Sequence, residues 1–190
     1  MTSQKQYIEG LSNLTRTSKH SLDRIGVGLR EAGYLPKGGR GLHSPTVDPE
    51  TAATFLIALM ASNKTSDAPK VVKVWPRLKL IRGDLNKAGL NTTPPPANFG
   101  EVTGMLFEDS IFNDQLEEIR VSRTKPKASI VYNINGQLET LEFGSGKEKP
   151  GERGGLNVEV VVHGEIIREL QNLVEPGGTA HTVYEITDNF

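Results

Sequence analysis

The spacing of apolar residues changes character along the chain, and this change limits what the chain can fold into. Up to about residue 62, apolar residues recur every three or four positions, as they do on one face of a helix. From about residue 119 they alternate with polar residues, as they do on strands with one buried face. The two periods predict an α+β protein, in which an all-α N-terminal domain precedes a small α+β domain built on an antiparallel sheet.

Two helices are predicted at the start of the chain, separated by a polar turn over residues 15–18. The second should be capped by Thr17 or Ser18, whose side-chain oxygen can accept a free backbone N–H of the first turn. It should end at Gly33, since glycine readily takes the left-handed conformation that closes a helix. The apolar stripe of the first helix is Tyr7, Leu11 and Leu14, and that of the second is Leu22, Ile25, Leu29 and Ala32.

A third helix is predicted from Asp48 to about Ser62. Asp48 is suited to the cap, and Pro49 is suited to the first helical position because its fixed φ is already helical. Between the second and third helices, Pro36–Ser44 is rich in glycine and should form a hairpin or an extended loop. The predicted buried face of the third helix comprises Ala52, Phe55, Leu56, Ile57, Leu59 and Met60.

A linker is predicted between the two halves. Residues 91–98 contain three consecutive prolines, which favour a stiff, extended segment. Val71–Ile81 is predicted to be a helix, although its first five residues are also compatible with a strand. The expected organisation is a DNA-binding domain at 1–66, a linker at 67–98 and a second domain at 99–190.

The second domain is predicted to begin with a helix over Gly100–Phe112. Its firmest feature is the dipeptide Asn135-Gly136, which favours a two-residue hairpin turn because both positions tolerate positive φ. Gly144–Gly155 is expected to be a surface loop, and Glu165–Val174 a short helix. The predicted strands are Ile119–Arg123, Ala128–Asn133, Gln137–Phe143 and Leu156–His163, with Thr182–Ile186 able to close the sheet.

Charge is unevenly distributed between the halves. Residues 1–82 contain thirteen Lys and Arg against six Asp and Glu, a net charge of +7. Residues 83–190 contain nine against seventeen, a net charge of −8. A basic half attracts phosphates, whereas an acidic half is repelled from the same polyanion. The first half is therefore the expected nucleic-acid contact.

Composition argues against several other classes of protein. The chain has no cysteine, and its four histidines lack metal-ligand spacing, so we expect neither a metal nor a cofactor. No apolar run reaches the ~20 residues of a membrane span, which favours a cytoplasmic protein without membrane contact.

Catalytic patterns are weak. Gly26-Val27-Gly28 and the glycines of 38–41 do not match the spacing of phosphate-binding loops. His163 and Glu165 could form an acid–base pair, but the sequence places no nucleophile beside them. The acidic residues Asp109, Asp114, Glu117 and Glu118 are typical of a solvated surface. We expect no catalytic residues and a protein that is not an enzyme.

The N-terminal segments Thr17–Arg24 and Leu29–Pro36 resemble the reading head of MerR-like regulators and excisionases. The likeness is strongest in Gly33-Tyr34-Leu35-Pro36, a Gly-x-Leu-Pro element at the end of the recognition helix. Similar heads occur in prophage-encoded DNA-binding proteins. The resemblance implies a winged helix-turn-helix over about residues 7–62, with Pro36–Ser44 as the wing.

The second helix would present a reading face opposite Leu22. At about 100° per residue, His20, Arg24 and Val27 fall on that side. There Arg24 could pair with guanine and Val27 could touch a thymine methyl. Basic residues of the wing would meet phosphates or the minor groove. The predicted DNA-binding residues are Ser18, Lys19, His20, Asp23, Arg24, Val27, Lys37, Arg40 and His43.

These features together predict a protein that binds double-stranded DNA in a sequence-specific way. We expect it to be a transcriptional regulator of phage or mobile-element character. Its C-terminal domain is expected to join copies of the chain into a homo-oligomer. Two other functions stay open. One is a small-terminase-like DNA-packaging oligomer, and the other is a protein-interaction module that uses the winged helix as a scaffold. A dimer in solution would favour the regulator, and a large ring would favour packaging.

Overall fold

The structure, a computed structural model, describes residues 2–37, 45–90, 92–108, 110–145 and 157–174, with the side chain of Ile111 excepted. Within these residues the chain combines seven α-helices with one five-stranded antiparallel sheet, which confirms the α+β class. Every helix in this part of the chain falls short of the length and apolar content that crossing a bilayer demands.

Helices occupy the first half of the chain, and the sheet occupies the second. Two short 3₁₀ turns, Thr65–Asp67 and Trp75–Arg77, flank the fourth helix. The helices are α1 Gln4–Thr15, α2 Lys19–Glu31, α3 Pro49–Ala61, α4 Ala68–Val74, α5 Phe99–Glu108, α6 Ser110–Asp114 and α7 Gly164–Val174. The strands are β1 Lys79–Arg82, β2 Leu116–Ser122, β3 Lys127–Ile134, β4 Gln137–Gly144 and β5 Glu159–His163.

The helix boundaries follow the caps that the sequence contains. Ser18 caps α2 by accepting a hydrogen bond from the Ser21 N–H, and Gly33 follows that helix with φ +81°. Asp48 caps α3 by accepting from the Thr51 N–H at 2.7 Å, as predicted. The prediction for Ala32 is wrong, since this residue is exposed. The reason is that α2 ends at Glu31, so Ala32 is its C-cap residue and lies beyond the helical stripe.

Helix α3 is buried on nearly all sides. Nine of its thirteen residues are buried, so the helix exposes little of its surface to solvent. It packs against α2 and α4, and also against α5 and β2. Towards α2 the approach is close, because a Cβ added at Gly26 would lie 3.0 Å from the Phe55 ring.

The strands of the sheet run in the order β1-β4-β3-β2-β5. The predicted hairpin is confirmed: Asn135 and Gly136 have φ values of 53° and 83° and join β3 to β4. Side chains such as Ile119, Ile130 and Leu141 are buried on one face of the sheet. The opposite face is open and carries ion pairs, in which Arg82 and Lys127 each lie 3.7 Å from Glu142.

The segment predicted as a linker contributes to the fold. The predicted helix over Val71–Ile81 is right only as far as Val74, because Pro76 interrupts it within the second 3₁₀ turn. The chain then forms β1, which pairs with β4 at the edge of the sheet. The predicted strand Thr182–Ile186 and residues 146–156 of the predicted loop lie outside the described residues.

The helices of the first half pack directly on elements of the second. In addition to the contact between α3 and α5, α1 packs against α7 so closely that a Cβ added at Gly10 would collide with Leu173. The buried apolar residues from Tyr7 to Val174 form one continuous cluster. The two halves therefore share a core.

A polar contact joins the end of α3 to the sheet. The Arg123 guanidinium, just after β2, donates to the carbonyl oxygens of Met60 at 2.8 Å and Leu59 at 3.2 Å. These carbonyls lie in the last turn of α3, where a cation is favourably placed. Burial lowers the pKa of Arg123. Nearby, the Trp75 indole N–H donates to the Ser122 carbonyl at 3.1 Å.

Replacing Arg123 with alanine should lower the free energy of unfolding by about 1.5–3 kcal/mol, the usual cost of losing hydrogen bonds from a charged group. Urea unfolding followed by the fluorescence of Trp75, the only tryptophan, measures this directly. Arg120→Ala is the matched control, because Arg120 is exposed and pairs with Glu118 on the surface. Equal losses in the two variants would show that the contact between α3 and the sheet contributes nothing specific.

Candidate nucleic-acid interface

The structure gathers several of the predicted DNA-binding residues on one exposed side of α2. His20, Arg24 and Val27 all face solvent, and Val27 is 44% exposed despite its apolar side chain. On the other side of α2, Leu22 and Leu29 are fully buried. This division fixes the rotation of the helix about its axis and leaves the predicted reading face open.

The start of α2 is held by local contacts. The Ser18 hydroxyl lies 2.8 Å from the Ser21 hydroxyl and also accepts from the Ser21 backbone N–H at 3.2 Å. Lys19 forms an exposed ion pair with Glu9 of α1, at 3.6 Å. Ser18 thus has a structural role at the cap, and the charge of Lys19 is partly offset.

A second wall, which the sequence did not predict, flanks this face. Thr65, Ser66 and Pro69 line a shallow groove of about 510 Å³ together with Arg24, Val27, Gly28 and Glu31 of α2. Pro69 is close to the helix, since its ring lies 3.6 Å from the position of a Cβ on Gly28. Only the N-terminal half of the face is therefore fully open. The sequence contains one weak indication that this segment lies beside the reading face, namely the lysines on either side of it, Lys64 and Lys70.

Charge on and around the face is arranged unevenly. Asp23 and Glu31 lie on α2 itself and offset the charges of Lys19 and Arg24. The flanking segment supplies Lys64, just before the 3₁₀ turn, and Lys70 on α4, and both are exposed. Two exposed lysines that the sequence did not single out thus lie next in the chain to residues that line the groove.

The predicted wing falls mostly on residues outside the described part of the chain. Lys37 is described and exposed, whereas Arg40 and His43 lie outside the described residues. Farther along the chain, Val47 is held beside α1, where its N–H donates to the Thr2 carbonyl at 3.0 Å. The neighbouring residues Ser3 and Thr46 form a β-bridge. This anchor is tied to α2, because Arg30 donates to the Gln4 side chain at 2.9 Å.

The glycines that raised the possibility of a phosphate-binding loop have another role. Gly26 and Gly28 lie within α2, where the chain is helical and forms no loop. Gly26 allows the close approach of Phe55, and Gly28 faces Pro69. The glycines at 38–41 lie outside the described residues.

Two further grooves lie elsewhere on the surface. One, of about 480 Å³, lies between α3 and α5 and is lined by Glu50 and Arg77 over an apolar floor that includes Ile57. The other, of about 470 Å³, lies between α6 and α7 and is lined by Asp114 and Glu165 among others.

The described titratable residues of the second half are spread over separate contacts. Glu117 accepts a hydrogen bond from Asn133, whereas Glu118 pairs with Arg120 on the sheet. Among the described residues no three His, Asp or Glu side chains converge closely enough to hold a metal ion.

Burial alters two tyrosines that belong to the core. It raises the pKa of both the Tyr7 and the Tyr132 phenol. The Tyr7 hydroxyl donates to the Ala52 carbonyl at 3.3 Å, within the helical part of the core. Neither tyrosine lines any of the three grooves, so these shifts reflect packing.

Comparison with protein-family models, with curated proteins and with solved structures found no match to this chain. Its function must therefore be argued from the site itself. The exposed face of α2 and its lysine-bearing flank are the features on which that argument rests.

Replacing Ser18 with alanine should lower the free energy of unfolding by about 1 kcal/mol, because the first turn of α2 loses its cap. Ser18→Asp should keep most of the stability, since its carboxylate can accept the same backbone N–H. His20→Ala serves as the control, as this side chain is exposed and lies on the same turn of α2 without forming its cap. Urea midpoints compare the three variants. If Ser18→Ala and His20→Ala are equally stable, Ser18 is not the cap.

Proposed function

We propose that this protein binds double-stranded DNA in a sequence-specific way, as a transcriptional regulator of phage or mobile-element character, and that α2 is its recognition helix. The observation that carries the proposal is the face of α2 described above. It presents a guanidinium, an imidazole and an apolar side chain to solvent on a helix whose other side is locked into the core.

Helix α2 has properties that the major groove of DNA requires. An α-helix fits this groove, and recognition helices use mainly their N-terminal residues to reach the bases. The open half of α2 is its N-terminal half, which bears His20 and Arg24. Arg24 would pair with the O6 and N7 acceptors of guanine, and Val27, farther along the helix at the groove, would lie against a thymine methyl.

Phosphate contacts would come from the flanks of the helix. Thr65 and Ser66 contribute hydroxyl groups to the groove, and the exposed Lys64 and Lys70 are next in sequence to the residues that line it. On the proposed wing, Lys37, Arg40 and His43 would approach the backbone or the adjacent minor groove. The anchoring of residues 45–47 beside α1 supports a winged helix, because it returns the loop to the helices next to α2.

The acidic second half suits a different task. Its net charge of −8 disfavours contact with a polyanion, so we assign it to self-association of the chain into a homo-oligomer. We propose a binding role without catalysis or a cofactor. Tests of this function should use the full chain, because α3 packs against α5 and a fragment ending before α5 would expose that surface.

Two kinds of variant separate base contacts from phosphate contacts. Arg24→Ala should weaken binding to a preferred sequence by about 1–3 kcal/mol, with a much smaller effect on unrelated DNA. Lys64→Ala and Lys70→Ala should weaken binding to every sequence alike. Each should also reduce the magnitude of the slope of log affinity against log salt concentration by about one. The measurement is a competition titration at several salt concentrations, after selection of bound sequences from random duplexes.

Lys127→Ala is the matched control for the lysine variants. Lys127 lies on the open face of the sheet beside Glu142, so its loss should leave both affinity and salt slope unchanged. The proposed function fails if the full chain shows no salt-sensitive binding to duplex DNA. The assignment of α2 fails if Arg24→Ala weakens binding to all sequences equally.

A further inference from the structure

Strand β5 lies at one edge of the sheet. Among the described residues it pairs with β2 alone, and its other side has no strand beside it. Val161 is 40% exposed at the centre of this strand, and Val158, just before it, is 51% exposed. An edge with three consecutive valines and with neither proline nor lysine lacks two of the usual devices that prevent pairing with another chain.

The hydrogen bonding of β5 shows which of its backbone groups are free for such pairing. The Arg123 N–H donates to the Val158 carbonyl at 2.8 Å, so Val158 directs its carbonyl towards β2. Antiparallel pairs alternate between hydrogen-bonded and non-hydrogen-bonded positions. The backbone groups of Glu159, Val161 and His163 therefore point away from β2, towards the open edge.

We propose that β5 pairs antiparallel with β5 of a second copy of this chain, with the two-fold axis at Val161, so that two five-stranded sheets join into one. The interface is isologous, as expected for a closed dimer. It rests on the self-association proposed above and names the surface that would mediate it, and it does not depend on DNA binding.

The sequence of β5 is self-complementary in this register. Glu159 of one copy lies opposite His163 of the other, and the carboxylate can accept a hydrogen bond from the imidazole. Val161 lies opposite its own counterpart, and all three residues are on the open face of the sheet. On the helix-covered face Val160 lies opposite Val162. Opposite polar partners and matched β-branched side chains are the pairs that stabilise antiparallel strands.

Other registers fit less well. A shift of one residue would bring outward-pointing backbone groups opposite inward-pointing ones and would also exchange the faces of the sheet. A shift of two residues keeps the backbone pattern, but only two of the three outward-pointing residues then lie opposite an outward-pointing residue of the other copy. It also sets Val161 against Glu159 or against His163. The register centred on Val161 alone opposes all three and matches each with a compatible side chain.

The first test is the mass of the full chain in solution, measured by light scattering. The wild-type protein should be a dimer, and Val161→Lys should halve the mass, because two lysines would then meet at the axis. Leu138→Lys is the matched control. Leu138 is 66% exposed on β4, on the far side of the sheet from β5, so its replacement should leave the dimer intact. A monomeric wild-type protein overturns the proposal, and so does an unchanged mass for Val161→Lys.

A charge exchange tests the register itself. Glu159→Lys should weaken the dimer, because it removes the carboxylate that accepts the hydrogen bond from the imidazole. The double variant Glu159→Lys/His163→Glu places a carboxylate opposite an ammonium across the axis and should recover the dimer. Thermal unfolding checks that each variant is folded. Failure of the double variant to recover any dimer contradicts the pairing of positions 159 and 163.

A cross-link provides a readout that does not depend on dimer affinity. The chain has no cysteine, so a disulfide can form only at an introduced site. Hydrogen-bonded antiparallel pairs have Cα atoms ~5.5 Å apart, within the range that a disulfide spans. Oxidised Val161→Cys should therefore run as a covalent dimer, whereas Leu138→Cys should not. Equal cross-linking of the two variants overturns the proposal.

Discussion

Helix α3 is apolar around almost its whole circumference, and the rest of the fold follows from the need to cover it. An apolar helix of this kind is stable only when neighbours bury all of its sides. Here α2 and α4 cover part of the surface, and α5 and β2 cover much of the remainder. The end of the helix is closed by a guanidinium from the sheet, that of Arg123. One buried element thus ties the basic half of the chain to the acidic half through a single core.

The same packing determines the geometry of the candidate interface. Phe55 of α3 meets α2 at Gly26, where any larger residue would crowd the ring. This contact holds the apolar side of α2 inwards and its polar side outwards. Because α3 ends at Ala61, the chain turns at once and brings Thr65–Pro69 back beside α2. The flank of the reading face is therefore a consequence of where α3 stops.

The features that could be predicted from sequence are those with a local chemical cause. Asp48 next to Pro49 specifies a helix start, and Asn135-Gly136 specifies a hairpin, whatever the rest of the chain does. The packing of α3 on α5 and the addition of β1 to the sheet depend on residues far apart in sequence, so no local sequence pattern predicts them. The contact of Pro69 with α2 was missed for the same reason. In retrospect the alanines on the far side of α3, such as Ala53 and Ala58, indicated a helix with no polar face.

The central claim is that DNA contacts the exposed face of α2 and its flank. It is tested most directly by the amide resonances of the full chain during titration with a selected duplex. The perturbations should concentrate in residues 19–31 and 64–70, and they should spare the open face of the sheet over 127–144. Perturbations centred on the sheet, or no saturable change at low salt, would contradict it.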